Sequence, residues 1–432
     1  MREYFANDRA TIYHGDCRDI MEGQLPDNWV DSIVTDPPYE LGFMGKGWDG
    51  SGVAYNSEVW ENAYRILKPG GHLLAFGGTR TWHRLASAIE DAGFEIRDSI
   101  AWMYGSGFPK SHDVSKGIDK AAGFQGRVVG RGTSWNRPNS IEGDTARMNI
   151  SPGEYDIKEL SPAAQQWQGW GTALKPAFEP IVVARKPLIG TVAENVLAHG
   201  TGALNIDACR IGTEGGGTHC GNRDEVGKCK GHDNAGRSTT GATVHGENAT
   251  AGRWPANVIL DESQAAELDA QSGVSVSKAA DYGPQGGIFR LHGFSSLTEL
   301  EAAVERGEKC PDGRNAVETL RRYRLSADRD NWRGHNDSGG ASRFFYSPKA
   351  SKKERPVVDG VAHPTVKPLA LMRYLCKLVT PQGGTILEPF AGSGTTIEAA
   401  LNEGFNVIGI EMTDEYLPLI MSRIERCNEG MF

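Results

Sequence analysis

No stretch of this sequence stays apolar long enough to span a bilayer, which argues against a membrane-crossing helix. No apolar leader opens the chain either. Met1-Arg2-Glu3-Tyr4-Phe5 runs straight into polar sequence, so no signal peptide is expected. Cysteine is scarce. Seven are scattered over 432 residues, an odd number that fits no secreted disulfide framework, and a reducing cytoplasm is the expected compartment. Positive charge is also short. The net charge of -9 weighs against a polyanion partner, but its distribution is uneven. Residues 97–137 hold seven Lys or Arg against three Asp or Glu, and residues 333–355 hold six against two. Each basic segment reads as well as solvated surface as it does as a grip on phosphates. There is no internal repeat, and the length suits two or three domains or one domain with a large insertion.

What is present centres on Thr35-Asp36-Pro37-Pro38-Tyr39-Glu40. These residues follow an apolar run, 30–34, that reads as a short buried strand, so Asp36 sits where a strand ends. Pro37 and Pro38 fix φ and carry no N–H, which leaves nearby carbonyls open to accept. Tyr39 adds an aromatic face. A carboxylate, bare carbonyls and a flat ring at a strand end suit the holding of a planar amine by its two hydrogens. An ordinary Pro-Pro turn is the competing reading.

Strand and helix patterns alternate on either side: strands at 11–14, 29–35, 72–76 and 96–104, with helices at 17–25, 59–67 and 83–91 between them. Lys68-Pro69-Gly70-Gly71 is expected to stop the second helix. This is the pattern of a mostly parallel sheet with helices on its faces, an α/β fold. Residues 105–178 are rich in Gly, Pro, Ser and Asn and read as loop, apart from a helix at 114–122. One more strand is expected at 179–188. From 189 to about 338 the sequence is Gly-heavy and weakly periodic, with helices at 263–271 and 296–306. A stretch so poor in elements reads as a separate module or insertion. Alternation resumes with a helix at 365–379, strands at 384–388 and 406–411, and helices at 394–402 and 414–427.

The second chemical stretch is Glu388-Pro389-Phe390-Ala391-Gly392-Ser393-Gly394-Thr395-Thr396, which follows a strand and opens a helix. Glycines there let a ligand approach the backbone, and the helix start offers unpaired N–H groups. The loop has no Walker A lysine and no G-x-G-x-x-G fingerprint. The next strand ends in Glu411, placed to accept from ribose hydroxyls.

With these motifs in this order, the chain resembles the S-adenosylmethionine-dependent amino-methyltransferases of DNA. It is similar to their permuted β class, in which the DPPY tetrapeptide precedes the target-recognition region and the cosubstrate loop comes last. The likeness covers roughly residues 11–188 and 341–424. It implies a doubly wound, Rossmann-like, circularly permuted methyltransferase sheet with a large irregular central insertion. Residues 1–188 would form the catalytic half, with 105–178 inserted. Residues 189–340 would form the target-recognition module, and 341–432 the cosubstrate-binding half. The resemblance implies a catalytic role for Asp36, Pro37, Pro38 and Tyr39. It implies cosubstrate binding by Phe390, Ala391, Gly392, Ser393, Gly394 and Thr395, flanked by Glu388 and Glu411. His363, Thr365 and Lys367 of the HPTxKP segment would pack beside the methionine moiety, and Asp16 would hold the cosubstrate adenine. The implied activity is methylation of adenine N6 in double-stranded DNA. Cytosine N4 is the alternative, and RNA, a protein amide or a non-enzymatic DNA-binding role stands further off. A cognate restriction endonuclease and a homodimer are candidate associations; no membrane partner is expected.

Three weaker signals remain. His219, Cys220, Cys229 and His232 could hold zinc, but adjacent His219-Cys220 is poor chelating geometry, and no metal is assigned. Trp102, with Phe108-Pro109-Lys110, reads as a wall of the target pocket or as core plus turn. Arg343-Phe344-Phe345-Tyr346 reads as a nucleic-acid contact or as a buried strand.

Overall fold

The computed structural model describes residues 2–42, 47–107, 111–133, 154–212, 252–276, 297–311, 313–320, 338–348 and 354–429. Its strands are β1 (Arg2–Ala6), β2 (Ala10–His14), β3 (Val30–Thr35), β4 (Leu67–Phe76), β5 (Glu95–Met103), β6 (Val128–Thr133), β7 (Glu154–Lys158), β8 (Phe178–Arg185), β9 (Val258–Leu260), β10 (Ser275–Val276), β11 (Ser338–Gly339), β12 (Thr385–Glu388) and β13 (Asn406–Glu411). Nine of them form one sheet in the order β1-β2-β13-β12-β3-β4-β8-β5-β9. The run from β2 to β4 is parallel throughout, β1 and β8 run antiparallel to their neighbours, and β9 is parallel to β5.

The sequence pattern explains the layers. Ile33, Leu73, Ala75 and Leu387 share one core cluster with residues of helices Cys17–Gln24, Ser57–Ile66 and Trp82–Asp91. Alternate residues of the same strands, among them Val34, Leu74 and Ile386, point to the other face and are fully buried. On the C-terminal part of the chain, helix Thr395–Asn402 packs against both Leu369–Val379 and Leu417–Glu429. Runs of Val, Ile and Leu buried on both faces are what a helix-covered parallel sheet requires. No described helix is long and apolar enough to cross a membrane.

Several elements differ from the sequence reading. β4 starts at Leu67 and not at His72. Leu67 pairs with Val30 and His72 with Ser32, so Lys68-Pro69-Gly70-Gly71 is a bulge within the strand. Asn195 and Thr201 satisfy the Pro69 carbonyl there. The loop expected at 105–178 contains the β6–β7 hairpin. The helix expected from 365 begins at Leu369, after Pro368 as its N-cap. β1 is an added edge strand. The expected module at 189–340 also differs in outline, because the chain divides by internal contacts into two compact units. One comprises Met1–Asn205, Ala256–Ala266 and Tyr346–Phe432, and so takes β9 from the middle of the chain. The other comprises Ile206–Pro255 and Glu267–Phe345. The second unit has its own small core of Leu300, Cys310, Ala316 and Leu320.

Candidate active site

Because β2, β13, β12 and β3 are parallel neighbours, they all end at one edge of the sheet. Asp16 lies just beyond β2, Glu411 ends β13, Glu388 ends β12 and Asp36 follows β3. β8 runs the opposite way, so its first residues, including Glu179, reach that same edge. A single cavity of about 620 Å³ is lined by all five acids, together with Pro37, Pro38, Tyr39, His363, Thr365, Lys367, Phe390, Ala391, Gly392, Ser393 and Thr395. Of the residues singled out from sequence, only Gly394 does not line it. Gly394 acts through the backbone: it holds φ +80° before the helix, and a Cβ there would lie 3.1 Å from the Ile420 Cα.

Around Asp36 the arrangement is electrostatic. Lys367 Nζ lies 2.6 Å from Asp36 Oδ2 and 3.4 Å from Glu179 Oε2. The Tyr39 hydroxyl donates to that same Glu179 oxygen at 2.7 Å. The other end of Tyr39 is held as well, since its carbonyl accepts from the Thr81 and Tyr55 hydroxyls. Burial disfavours the Lys367 ammonium, but Asp36 and Glu179 outweigh it and hold its pKa above the ordinary value. Burial, then the charges of Asp36 and Glu179, push the Tyr39 hydroxyl well up, so it remains a donor. Asp36 Oδ1 is buried and has no hydrogen-bond partner among the described residues; the same is true of the indole Nε1 of Trp102, another lining residue. An unpaired buried acceptor is costly unless a ligand supplies its donor.

The glycine turn is built around two buried acids. Glu411 accepts from the Gly392 and Thr413 amides, both at 2.7 Å. Burial raises its pKa, partly offset by those amides. Glu388 accepts from the Thr35 hydroxyl, from the Thr396 hydroxyl at 2.5 Å and from the Phe390 amide at 3.1 Å. It is 1% exposed, and burial pushes its pKa up to about 8. The Thr35–Glu388 bond ties the residue before Asp36 directly to the residue that opens the glycine turn. Beneath the turn, fully buried Arg423 donates to the Ser393 carbonyl, the Glu398 carboxylate and the Glu354 carbonyl.

The remaining sequence candidates divide. His363 lies against the turn: a Cβ on Gly392 would sit 3.3 Å from its Nε2, and burial lowers its pKa. Lys367, expected in the cosubstrate set, instead pairs with Asp36. Asp16 is the N-cap of helix Cys17–Gln24, and Arg18 Nη2 grips its Oδ2 at 2.6 Å, which lowers its pKa. Glu179 was missed altogether. The one local signal was an acid opening an otherwise apolar strand, and nothing local tells that this strand runs backwards in the sheet. Phe108-Pro109-Lys110 and the His219, Cys220, Cys229, His232 set lie outside the described residues. Arg343 and Phe344 belong to a 3-10 turn and not to a strand, and Tyr346 bridges to Ile259.

Comparison with known proteins bears on this geometry. A family model described as DNA methylase matches residues 30–187 and 299–422. Type II methyltransferase M.ScaI of Streptomyces caespitosus is 37% identical over 82 residues, 19% of this chain and 27% of that protein. DNA adenine methyltransferase YhdJ of Escherichia coli K12 is 40% identical over 63 residues, 15% of this chain and 21% of that protein. The chain spans only 23% to 37% of the length of the first curated relatives it matches. Among solved structures, the DNA modification methylase TTHA0409 of Thermus thermophilus superposes with a TM-score of 0.38 at 13% identity, over 97% of this chain and 96% of that one.

Proposed function

Since the chain belongs to the DNA methylase family, we propose that it transfers a methyl group from S-adenosylmethionine to the exocyclic N6 of adenine in duplex DNA. The observation that carries this reading is the shared cavity. It joins the unpaired Asp36 Oδ1 to the glycine turn and Glu411 without an intervening strand. The residues fit such a donor. Gly392 leaves room over the turn, Glu411 and Asp16 offer acceptors at neighbouring strand ends, and Phe390 supplies an apolar surface. When bound, the donor supplies an electrophilic methyl on a sulfonium.

The chain's own residues account for the rest. The amine of adenine is a poor nucleophile, because its lone pair is delocalised into the ring. One amine hydrogen is taken by Asp36 Oδ1 and the other by the Pro37 carbonyl, which localises that pair toward the methyl. Holding both reactants in attack geometry removes ~7–11 kcal/mol of barrier in favourable cases. A base within a duplex cannot enter this cavity, so it is flipped out, at about a few kcal/mol of unstacking. Stacking on Tyr39 offsets part of that cost, about 1–3 kcal/mol by analogy with single-strand binders. Asp36, with Lys367 on its other oxygen, acts as an acceptor and not as a strong base. The proton becomes acidic once the methyl has arrived.

We read the order of parts as the permuted β class and the middle of the chain as the target-recognition module. A paired restriction endonuclease and a homodimer belong to the same proposal. Incubation with labelled S-adenosylmethionine and duplex DNA, then digestion to nucleosides, tests it. The expected product is N6-methyladenosine. Label in N4-methylcytosine would overturn the choice of base, and label in RNA or protein alone would overturn DNA as the acceptor.

A further inference from the structure

Resting on the methyl-transfer reading, we propose that Glu179 is a positioning residue that balances the charge of Lys367 and so keeps the acceptor side of the cavity net negative. The Asp36–Lys367 pair alone is neutral. Lys367 Nζ is 2.6 Å from Asp36 but also 3.4 Å from Glu179, so two carboxylates share one ammonium and one negative charge is left over. The cluster is sheltered, with side-chain exposures of 9% for Lys367, 23% for Asp36 and 19% for Glu179. Charges in such a site interact far more strongly than in water.

The reaction makes that surplus matter. As the carbon–sulfur bond breaks and the carbon–nitrogen bond forms, positive charge leaves the sulfur. It appears on the amine nitrogen, next to Asp36, until the surplus proton departs to solvent. A neutral Asp36–Lys367 pair offers little to that cation, whereas the same pair with Glu179 attached offers a fixed counter-charge in place before the reaction. Glu179 also fixes the plane of Tyr39 through the hydroxyl bond, at 2.7 Å. Loss of that bond has to be told apart from loss of charge.

Glu179→Gln keeps an acceptor for Tyr39 and removes the charge. Two donor analogues read the result by calorimetry without turnover: sinefungin, which carries an ammonium where the methylsulfonium would be, and neutral S-adenosylhomocysteine. In Glu179→Gln the preference for sinefungin over S-adenosylhomocysteine is expected to fall roughly tenfold or more, the size expected for a nearby unit charge in a partly screened site. Methyl transfer is expected to slow on the order of 10²-fold in kcat, with the KM for the donor little changed. Adding Lys367→Met to Glu179→Gln removes the matching positive charge and is expected to recover most of both losses. A double variant as impaired as the two single changes combined, or an unchanged analogue preference in Glu179→Gln, would overturn the charge balance. Failure of the unaltered protein to bind either analogue would instead overturn the methyl-transfer reading itself.

Discussion

Asp36 has two unlike oxygens. Oδ2 faces the Lys367 ammonium at 2.6 Å, and Oδ1 has no described partner. One oxygen is held, so the other is presented. Asp36→Ala is therefore expected to abolish methyl transfer while leaving donor binding by calorimetry within error of the unaltered protein. Methylation that survives in this variant would reject the assignment. Glu388 makes a second residue-level prediction. Its carboxyl is raised from an ordinary 4.5 to about 8 because burial outweighs three donors. The unfolded chain then ionises at lower pH than the folded protein, so the stability linked to this group is complete below about 4.5 and is lost as pH rises through about 8. The melting temperature of Glu388→Gln should fall less steeply with pH across that window. Parallel slopes for the two proteins would refute the burial effect.

Among the elements, the glycine turn is the most constrained. Gly394 sits at φ +80° with Ile420 backbone 3.1 Å from where a Cβ would be. Gly394→Ala should cost more than about 1 kcal/mol in urea unfolding and also weaken donor binding; an unchanged unfolding midpoint would show that the turn relaxes freely. Arg423 joins that turn to helix Thr395–Asn402 and to the Glu354 segment from a fully buried position. Arg423→Met leaves the Glu398 carboxylate without its buried partner and is expected to cost roughly 3–5 kcal/mol by chemical denaturation. A loss below about 1 kcal/mol would mark the pair as surface-like. The strands carrying these groups were legible because their buried Val, Ile and Leu runs stand out between turn residues. β9 was not, since three residues, Val258–Leu260, make no period and their partner β5 lies far back in the sequence. The β6–β7 hairpin was hidden by glycine-rich composition. Asp36, Glu411 and the glycines could be read as site residues because each closes a strand or opens a helix. Glu179 could not, because its place depends on strand direction. The tie that Glu388 makes to Thr35 was equally out of reach, because it spans 353 positions in sequence.

For the whole molecule, the main consequence of the fold is that residues near both ends of the chain share one sheet edge. β3 and β12 are hydrogen-bonded neighbours, and their tips place Asp36 and the glycine turn on the same cavity. The middle of the chain returns to the sheet only through the short segment Ala256–Ala266, which leaves Ile206–Pro255 and Glu267–Phe345 as a unit of their own. The central claim is that an amine at Asp36 and a donor on the glycine turn meet within that cavity. Its most direct test is a crystal structure with sinefungin and methylatable duplex DNA, measuring the distance from the analogue's amine nitrogen to the exocyclic nitrogen of the extruded base. A separation of about 3–3.5 Å, with that base bonded to Asp36 Oδ1, is the expected result. An analogue seated with its amine turned away from Asp36, or a base docked elsewhere, would contradict it.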